Sequence, residues 1–235
     1  MDEPLQSNSR TVRIAASLFF FVCLPMYFWE QNFVRAKIFV AQDPVATAGN
    51  LLANEFGFRV ATITHLGGTI VFVFMILMLH RVFRPVDKYL SRLMIAAVLV
   101  QVPVILLLEI FDIGALMILK SEARPTFDVI QQQEAAYLLL RLQRVGIGTS
   151  KLFFGLCFIP FGMVVLKSGI TPRIIGILFI IGGVGYVGDF CIYVLLQRPD
   201  YIMVRSILMY SYFGWMVALL WLLVKGVRSP APVQI

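Results

Sequence analysis

The sequence contains few charged residues. Only 14% of its 235 residues are charged, 60% are hydrophobic, and the mean hydropathy is +0.87. Soluble domains are about one quarter charged and about half apolar. The composition therefore excludes a soluble enzyme, a nucleic-acid-binding domain and a disordered segment. It predicts an integral membrane protein whose main surroundings are the lipid bilayer.

Cysteine and histidine are also scarce. Cys23, Cys157 and Cys191 all lie in apolar runs, and no Cys-x-x-Cys or Cys/His spacing occurs, so neither a zinc site nor a disulfide framework is indicated. His65 and His80 are in the same helical segment and cannot supply haem ligands from two helices. We therefore expect no metal and no cofactor.

Acidic residues are fewer than basic ones, 13 against 20, which gives a formal charge of +7. No basic run is interleaved with exposed aromatic residues, so we expect no nucleic-acid partner. Basic loops instead set the orientation of membrane proteins. Ten basic residues fall on the side of the N-terminus and six, including Arg35, on the other side. This predicts both termini in the cytoplasm and a location in the cell inner membrane, with the oligomeric state left open.

Long apolar runs dominate the chain. A membrane-spanning helix needs about 20 apolar residues, and these runs are too long and unbroken for barrel strands. The first run is too long for a signal peptide, so we interpret it as a retained span. The predicted fold class is all-α, a polytopic membrane helical bundle that forms one domain over residues 1–235. Its six predicted transmembrane helices are 13–34, 58–80, 90–119, 137–167, 173–196 and 204–225.

The connections between spans differ in length. The inner ones are the short turns 84–87 and 168–172. In the first outer connection, Asp43-Pro44 is typical of a helix start and predicts a short amphipathic helix over 45–58 on the outer face. In the second, Thr126 or Asp128 is expected to cap a short outer-face helix that continues into the fourth span. We expect no break in the middle of any span.

Several ionisable residues fall inside the predicted spans or at their outer ends, where charge is costly and usually functional. With the N-terminus inside, all of them lie in the outer half of the bilayer, and the formal charges balance, four against four. These charges are Glu30, Glu109, Asp112, Asp189, Arg59, Arg141, Arg144 and Lys151, and His65 accompanies them.

Helical phase groups the polar residues. At about 100° per residue, three spans each carry polar or small residues on one face. These faces hold Gln101, Glu109 and Asp112; Arg141, Arg144, Gly148 and Lys151; and Gly182, Tyr186, Asp189 and Tyr193. Polar faces turn toward the bundle interior, which predicts a polar cavity in the outer half. The structural alternative is a set of salt bridges that fixes helix register, with Arg141 and Arg144 snorkelling to the interface.

The deeper charges are the candidate catalytic residues. Glu109 and Asp112 are one helical turn apart, so their charges would repel, and one carboxyl could keep its proton and serve as a general acid. Asp189 would be the base or an electrostatic partner, and Lys151 would tune the acids or hold a polar head group. The candidate substrate-binding residues are Glu30, Arg59, His65, Arg141, Arg144, Tyr186, Tyr193 and Tyr212.

Carboxyl groups in an apolar pocket suit general acid–base catalysis, and aromatic faces stabilise cations. The sequence has 20 Phe, 8 Tyr and 3 Trp. We therefore predict an intramembrane enzyme acting on a lipophilic small molecule, an isoprenoid-like substrate that is cyclised or isomerised. A transporter or lipid-binding protein with a polar cavity is the first alternative, and a non-catalytic membrane assembly subunit is the second.

Several motifs resemble a bacterial family of multi-pass membrane proteins known as domain of unknown function 4386. The resemblance implies a compact helical bundle over most of the chain and no particular activity. The motifs are ATAGNLLANE at 46–55 with Phe58 and Arg59, LHR at 79–81, RPV at 84–86, FFGL at 153–156 with Pro160, and SGITPRIIG at 168–176.

The sequence departs from that family where it carries charge. The family's third span is commonly apolar, whereas this chain has Glu109 and Asp112. Lys151 stands where an apolar residue is usual, and Gln143 where the family often has His. These differences indicate a specialised member.

Overall fold

The structure, a computed structural model, describes residues 3–120, 127–195 and 201–227, with side chains at 8–120, 127–195, 211 and 213–227. Helices joined by short turns make up these residues, and no strand occurs among them, which confirms the all-α prediction. The helices are α1 (Glu3–Leu18), α2 (Leu24–Trp29), α3 (Ala36–Ile38), α4 (Pro44–Ala53), α5 (Glu55–Phe83), α6 (Lys88–Leu119), α7 (Val129–Ser150), α8 (Leu152–Ser168), α9 (Arg173–Leu195) and α10 (Tyr201–Lys225).

The first three helices are linked by two π-helical segments. Segment π1 covers Phe19–Cys23, between α1 and α2, and segment π2 covers Glu30–Arg35, between α2 and α3. A π-helix pairs residues five apart instead of four, and such short segments are often found at functional sites. The first predicted span is therefore helical but not a regular α-helix.

The predicted helix start at Asp43-Pro44 is confirmed. Asp43 Oδ1 accepts a hydrogen bond from the backbone N–H of Ala46 at 2.8 Å, and Pro44 is the first helical residue. The predicted extent of 45–58 is wrong, because α4 ends at Ala53. Asn54, outside helical geometry, closes α4 by donating its side-chain amide to the carbonyl of Asn50.

The start of α7 is set by a reciprocal cap. Asp128 Oδ1 accepts from the backbone N–H of Gln131 at 2.8 Å, and Gln131 Oε1 accepts from the backbone N–H of Asp128 at 3.1 Å. Asp128 is thus the cap, and Thr126, the other candidate, lies outside the described residues. At Lys151 the backbone keeps right-handed helical angles (φ −58°, ψ −21°), and α7 and α8 together form one helical stretch from Val129 to Ser168.

Within the described residues, five helical stretches are long and apolar enough to cross a membrane. They are Asn8–Ile38, Glu55–Phe83, Lys88–Leu119, Val129–Ser168 and Arg173–Leu195. Together they identify a membrane-embedded, multi-pass helical protein. The sixth predicted span falls in α10, where the described apolar helix Phe213–Lys225 is shorter, so that span stays a prediction.

The chain divides into two compact units. We call Met1–Phe20, Phe72–Gln101 and Ser150–Ile235 the aromatic unit, and Phe21–Val71 and Val102–Thr149 the acidic unit. Each name refers to the side chains in the interior of that unit. The prediction of a single domain is neither supported nor contradicted by this division.

Stacked and edge-on aromatic rings form the interior of the aromatic unit. The Phe158 ring centroid lies 4.9 Å from that of Trp215, 5.8 Å from Phe179 and 6.1 Å from Tyr186. Phe161 packs edge-on against Phe179 at 4.6 Å. These distances are typical of favourable aromatic pairs. These rings therefore pack against one another in the core of the aromatic unit.

Helices α8 and α9, both in the aromatic unit, approach closely through glycines. A Cβ atom added at Gly162 would lie 2.5 Å from the carbonyl oxygen of Gly176. One added at Gly155 would lie 2.6 Å from the carbonyl oxygen of Gly183. Small residues at helix interfaces allow this backbone-to-backbone packing in membranes, where the hydrophobic effect does not drive helices together.

The turn before α6 carries an exposed ion pair. Asp87 accepts from Lys167 Nζ at 2.7 Å and from the backbone N–H groups of Tyr89 and Leu90 at 3.0 Å. The hydrogen bond from Lys167, together with that from Leu90, holds the pKa of Asp87 below its ordinary value. Asp87 thereby caps α6 and ties the turn to the end of α8.

We predict that Gly162→Ala lowers the stability of the protein by about 1–3 kcal/mol, because the new methyl group meets a backbone carbonyl that cannot move aside cheaply. The measurement is thermal unfolding in detergent. Gly68→Ala is the control, since a Cβ atom there meets nothing within 4 Å and a helical Gly→Ala change adds up to about 1 kcal/mol. Equal melting temperatures for Gly162→Ala and the unmodified protein would contradict the packing argument.

Candidate functional site: a buried ion cluster

An apolar layer lies in the interior of the acidic unit. Its members are side chains from π2, α3, α4, α5, α6 and α7 that exclude water and leave neighbouring charges in a medium of low polarity. They are Val34, Ile38, Leu51, Phe58, Ala61, Ala115, Leu116, Ala136 and Leu140. Any ionised group beside this layer must find its compensating charge within the protein.

Arg35 provides that charge for the acids of the unit. Its Nε donates to Glu30 Oε1 at 2.5 Å, and its Nη2 lies 2.8 Å from Asp112 Oδ2 and 3.7 Å from Glu109 Oε2. The guanidinium carbon is also 5.7 Å from the centre of the Phe58 ring, within cation–π range. We call Glu30, Arg35, His65, Glu109 and Asp112 the ion cluster.

The members of the ion cluster are deeply buried. The side chains of Glu30, Glu109 and Asp112 are 1%, 2% and 0% exposed, and those of Arg35 and His65 are 14% and 13% exposed. Buried acids of this kind are stable only when they are paired or hydrogen-bonded. The cluster is therefore a site where the protein tolerates charge that the bilayer would otherwise exclude.

Segment π2 explains how Glu30 and Arg35 meet. In a regular α-helix, residues five apart point about 140° away from each other. In a π-helix the hydrogen bonds join residues five apart, so the two ends of π2 come to the same side. This wider turn places both side chains on the side that faces α6, where Glu109 and Asp112 are one turn apart.

His65 on α5 completes the cluster. Its Nδ1 lies 2.5 Å from Glu109 Oε1. An ionised carboxylate only accepts hydrogen bonds, so the neutral imidazole carries its proton on Nδ1 and has its lone pair on Nε2. The pair has the arrangement in which a carboxylate orients a histidine as a proton acceptor.

The ion cluster is not electrically balanced. Three carboxyl groups face one guanidinium and one imidazole, so the formal charge is −2 with neutral His65 and −1 with protonated His65. Of the eight charges counted in the sequence, this cluster contains only Glu30, Glu109 and Asp112, so their overall balance does not hold within it. A buried cluster with excess negative charge favours binding of protons or cations and disfavours anionic groups.

Some buried polar atoms of the acidic unit have no hydrogen-bond partner among the described residues. They include Glu30 Oε2 and Asp112 Oδ1 of the ion cluster and Gln143 Nε2 on α7. Buried polar atoms are normally hydrogen-bonded, so these atoms are exceptions. No group of three His, Cys, Asp or Glu residues in the described parts of the chain is arranged to bind a metal ion.

The structure brings together four of the predicted site residues, namely Glu30, His65, Glu109 and Asp112. Arg35 is not among the site residues predicted from the sequence, where it falls in a loop outside the membrane. The signal that could have found Arg35 is its five-residue spacing from Glu30. This spacing puts two side chains on different faces of an α-helix and on the same side of a π-helix.

The inward orientation predicted for Arg141 and Arg144 is wrong. Both are exposed, and the buried face of α7 instead carries Ala136, Leu140 and Gln143, spaced at 4 and 3 residues. The arginines are turned about 100° away from that face. The guanidinium of Arg144 lies 4.8 Å from the centre of the Phe39 ring, a surface cation–π contact.

Arg59 also lies away from the ion cluster. Its side chain is 50% exposed, and it donates to Glu55 Oε1 at 2.8 Å, one turn earlier on α5. Lys120 donates to the same oxygen at 3.0 Å. Glu55 at the start of α5 thus supplies the ion-pair partner of Arg59, and the substrate-binding role of Arg59 stays a prediction.

The remaining candidates belong to the aromatic unit. Asp189 is buried, Tyr186 is half-buried and Tyr193 is exposed, while Lys151 is the residue between α7 and α8. Tyr193 therefore does not share the buried environment predicted for its face of α9. The side chain of Tyr212 lies outside the described residues.

Helical composition, membrane-length helices and a buried ion cluster define a multi-pass membrane protein with an intramembrane polar site. The family described as Domain of unknown function (DUF4386) matches residues 14–226. The chain belongs to this family, which confirms the resemblance.

One relative, an uncharacterized protein of Archaeoglobus fulgidus, is 36% identical over 75 residues, which are 32% of this chain and 43% of that protein. The match thus spans less than half of the relative's length. No solved structure matches the chain.

We predict that Arg35→Met destabilises the protein by about 3–5 kcal/mol, because it leaves buried carboxylates without their partner. Arg59→Met is the matched control and should change stability by no more than about 1 kcal/mol, since its ion pair is exposed. Unfolding midpoints in mild detergent measure both effects. Similar losses for the two variants would contradict the central role of Arg35.

Proposed function

We propose that the protein is an intramembrane enzyme that transfers protons to or from a lipophilic molecule, with the His65–Glu109 pair as its acid–base group. The observation that carries this proposal is the 2.5 Å contact between His65 Nδ1 and Glu109 Oε1 in a buried cluster of excess negative charge. Histidine is the side chain best suited to exchange protons near neutral pH. A carboxylate partner fixes its tautomer and stabilises the imidazolium.

Each member of the cluster then has a role. His65 takes or gives the proton at Nε2, and Glu109 orients the ring. Arg35 and Glu30 hold the local charge in place, and Asp112 offers a second carboxyl group near the substrate. The roles predicted for Asp189 and Lys151 are not required by this arrangement.

The charge of the cluster restricts the substrate. Its excess negative charge repels phosphate and carboxylate groups and stabilises a developing positive charge. Proton transfer to a carbon–carbon double bond or an epoxide generates such a charge. This supports an isoprenoid-like substrate that is cyclised or isomerised.

We expect that purified protein incubated in D₂O with a panel of isoprenoid alkenes incorporates deuterium at carbon into at least one of them, as read by mass spectrometry. His65→Asn should lower the rate by about 10²–10⁴-fold, the usual contribution of a general acid–base group. His80→Asn is the control, because His80 pairs with Ser91 in the aromatic unit.

An equal rate in His65→Asn and unmodified protein would show that the pair is not the acid–base group. Absence of deuterium from every substrate class would contradict the enzyme proposal. Proton or solute flux in proteoliposomes without chemical change would identify the protein as a transporter.

We further propose that the protein lies in the cell inner membrane with both termini in the cytoplasm, supported by the excess of basic residues in the loops on that side. In a cysteine-free background, Val45→Cys should react with an impermeant maleimide on intact spheroplasts. Val86→Cys should react only after lysis, because α5 crosses the membrane between the two positions. The reverse pattern would overturn this orientation.

A further inference from the structure

Gln143 on α7 is a buried amide whose nitrogen has no hydrogen-bond partner among the described residues. It is 3% exposed, and no described residue accepts a hydrogen bond from its Nε2. Leaving a buried donor unpaired costs far more than an ordinary hydrogen bond contributes. Gln143 is not one of the acids of the ion cluster, so it is an independent sign that something polar is held at this position.

Packing between α6 and α7 sets the level of Gln143. Leu139 on α7 meets Gly114 on α6, and Gly146 on α7 meets Leu108 on α6. The two helices therefore run antiparallel side by side over this stretch. Gln143 lies between the two α7 contacts, and Asp112 lies between the two α6 contacts, so both occupy the same level.

The apolar layer confirms that Gln143 and Asp112 share one interior. Leu140, one turn from Gln143, and Leu116, one turn from Asp112, both belong to that layer. Asp112 is 0% exposed, and its Oδ1 accepts no hydrogen bond from the described residues. An unpaired donor and an unpaired acceptor thus lie one helical turn from the same apolar layer, on neighbouring helices.

A group that hydrogen-bonds with both Gln143 Nε2 and Asp112 Oδ1 must accept one hydrogen bond and donate another. A hydroxyl group does this. An ionised phosphate or carboxylate has no proton to donate to Asp112, and its negative charge would lie next to three acids. An ammonium group cannot accept a hydrogen bond from Gln143. A hydrocarbon can neither donate nor accept. The apolar layer and the bilayer favour a long apolar chain on the same molecule.

We infer that the site binds a lipophilic alcohol, whose hydroxyl group accepts from Gln143 Nε2 and donates to Asp112 Oδ1. This inference rests on the proposed function insofar as it names the substrate class of the same site. It assigns to Gln143 the role of a substrate-positioning residue.

The test measures equilibrium binding of radiolabelled farnesol, a C15 prenyl alcohol, and of its methyl ether to the full chain in phosphatidylcholine nanodiscs. The ether has the same chain but cannot donate a hydrogen bond. We expect the alcohol to bind at least about tenfold more tightly than the ether, as expected for a charge-assisted hydrogen bond.

The isosteric variant Gln143→Met should weaken binding of the alcohol about tenfold and change binding of the ether by less than about threefold. Gln133→Met, the same change ten residues earlier on α7, is the matched control and should leave both affinities unchanged. Retained alcohol affinity in Gln143→Met would overturn the inference.

Equal binding of alcohol and ether to the unmodified protein would also overturn it, and this comparison does not depend on how any variant folds. That result would mean that water alone joins Gln143 and Asp112. Because the assay measures binding without turnover, it separates the two proposals: alcohol binding without deuterium incorporation leaves the hydroxyl site intact and rejects the enzyme. Deuterium incorporation without a preference for the alcohol supports the enzyme and rejects the hydroxyl site.

Discussion

The contact of Arg35 with Glu30 and Asp112 is the constraint on which the acidic unit depends. In an apolar interior, the cost of an isolated charge exceeds the whole stability of a typical protein. Three acids can share this interior only because a guanidinium lies among them and an imidazole is bonded to one of them. The positions of π2, α5 and α6 are thus tied to one another by electrostatics, whereas the glycine contacts of α8 and α9 depend on shape alone.

Much of the fold could be predicted from the sequence because apolar runs and caps are local signals. The five membrane-length helices, the cap at Asp43 and the cap at Asp128 all follow from residues close together in the chain. The end of α4 at Ala53 is not predictable in this way. It is set by how the chain turns at Asn54 within otherwise helical sequence.

The site was predictable only in part, for two physical reasons. Acids inside apolar runs are conspicuous, so Glu30, Glu109 and Asp112 were identified. Arg35 was missed because a constant 100° per residue places it away from Glu30, and π2 does not keep that angle. On α7, the prediction that the arginine face is buried is wrong, and the face with Gln143 is buried instead. The prediction rests on charge, whereas the apolar contacts of Ala136 and Leu140 decide which side of the helix is buried.

The π2 turn has a consequence for how this chain can vary over evolution. Its function depends on the number of residues between Glu30 and Arg35 more than on what those residues are. Removing one residue would restore a regular α-helical turn and shorten the spacing of the two side chains from five residues to four. Substitutions within the turn leave this geometry in place. Insertions and deletions there are therefore expected to be much rarer among functional relatives than changes of residue type.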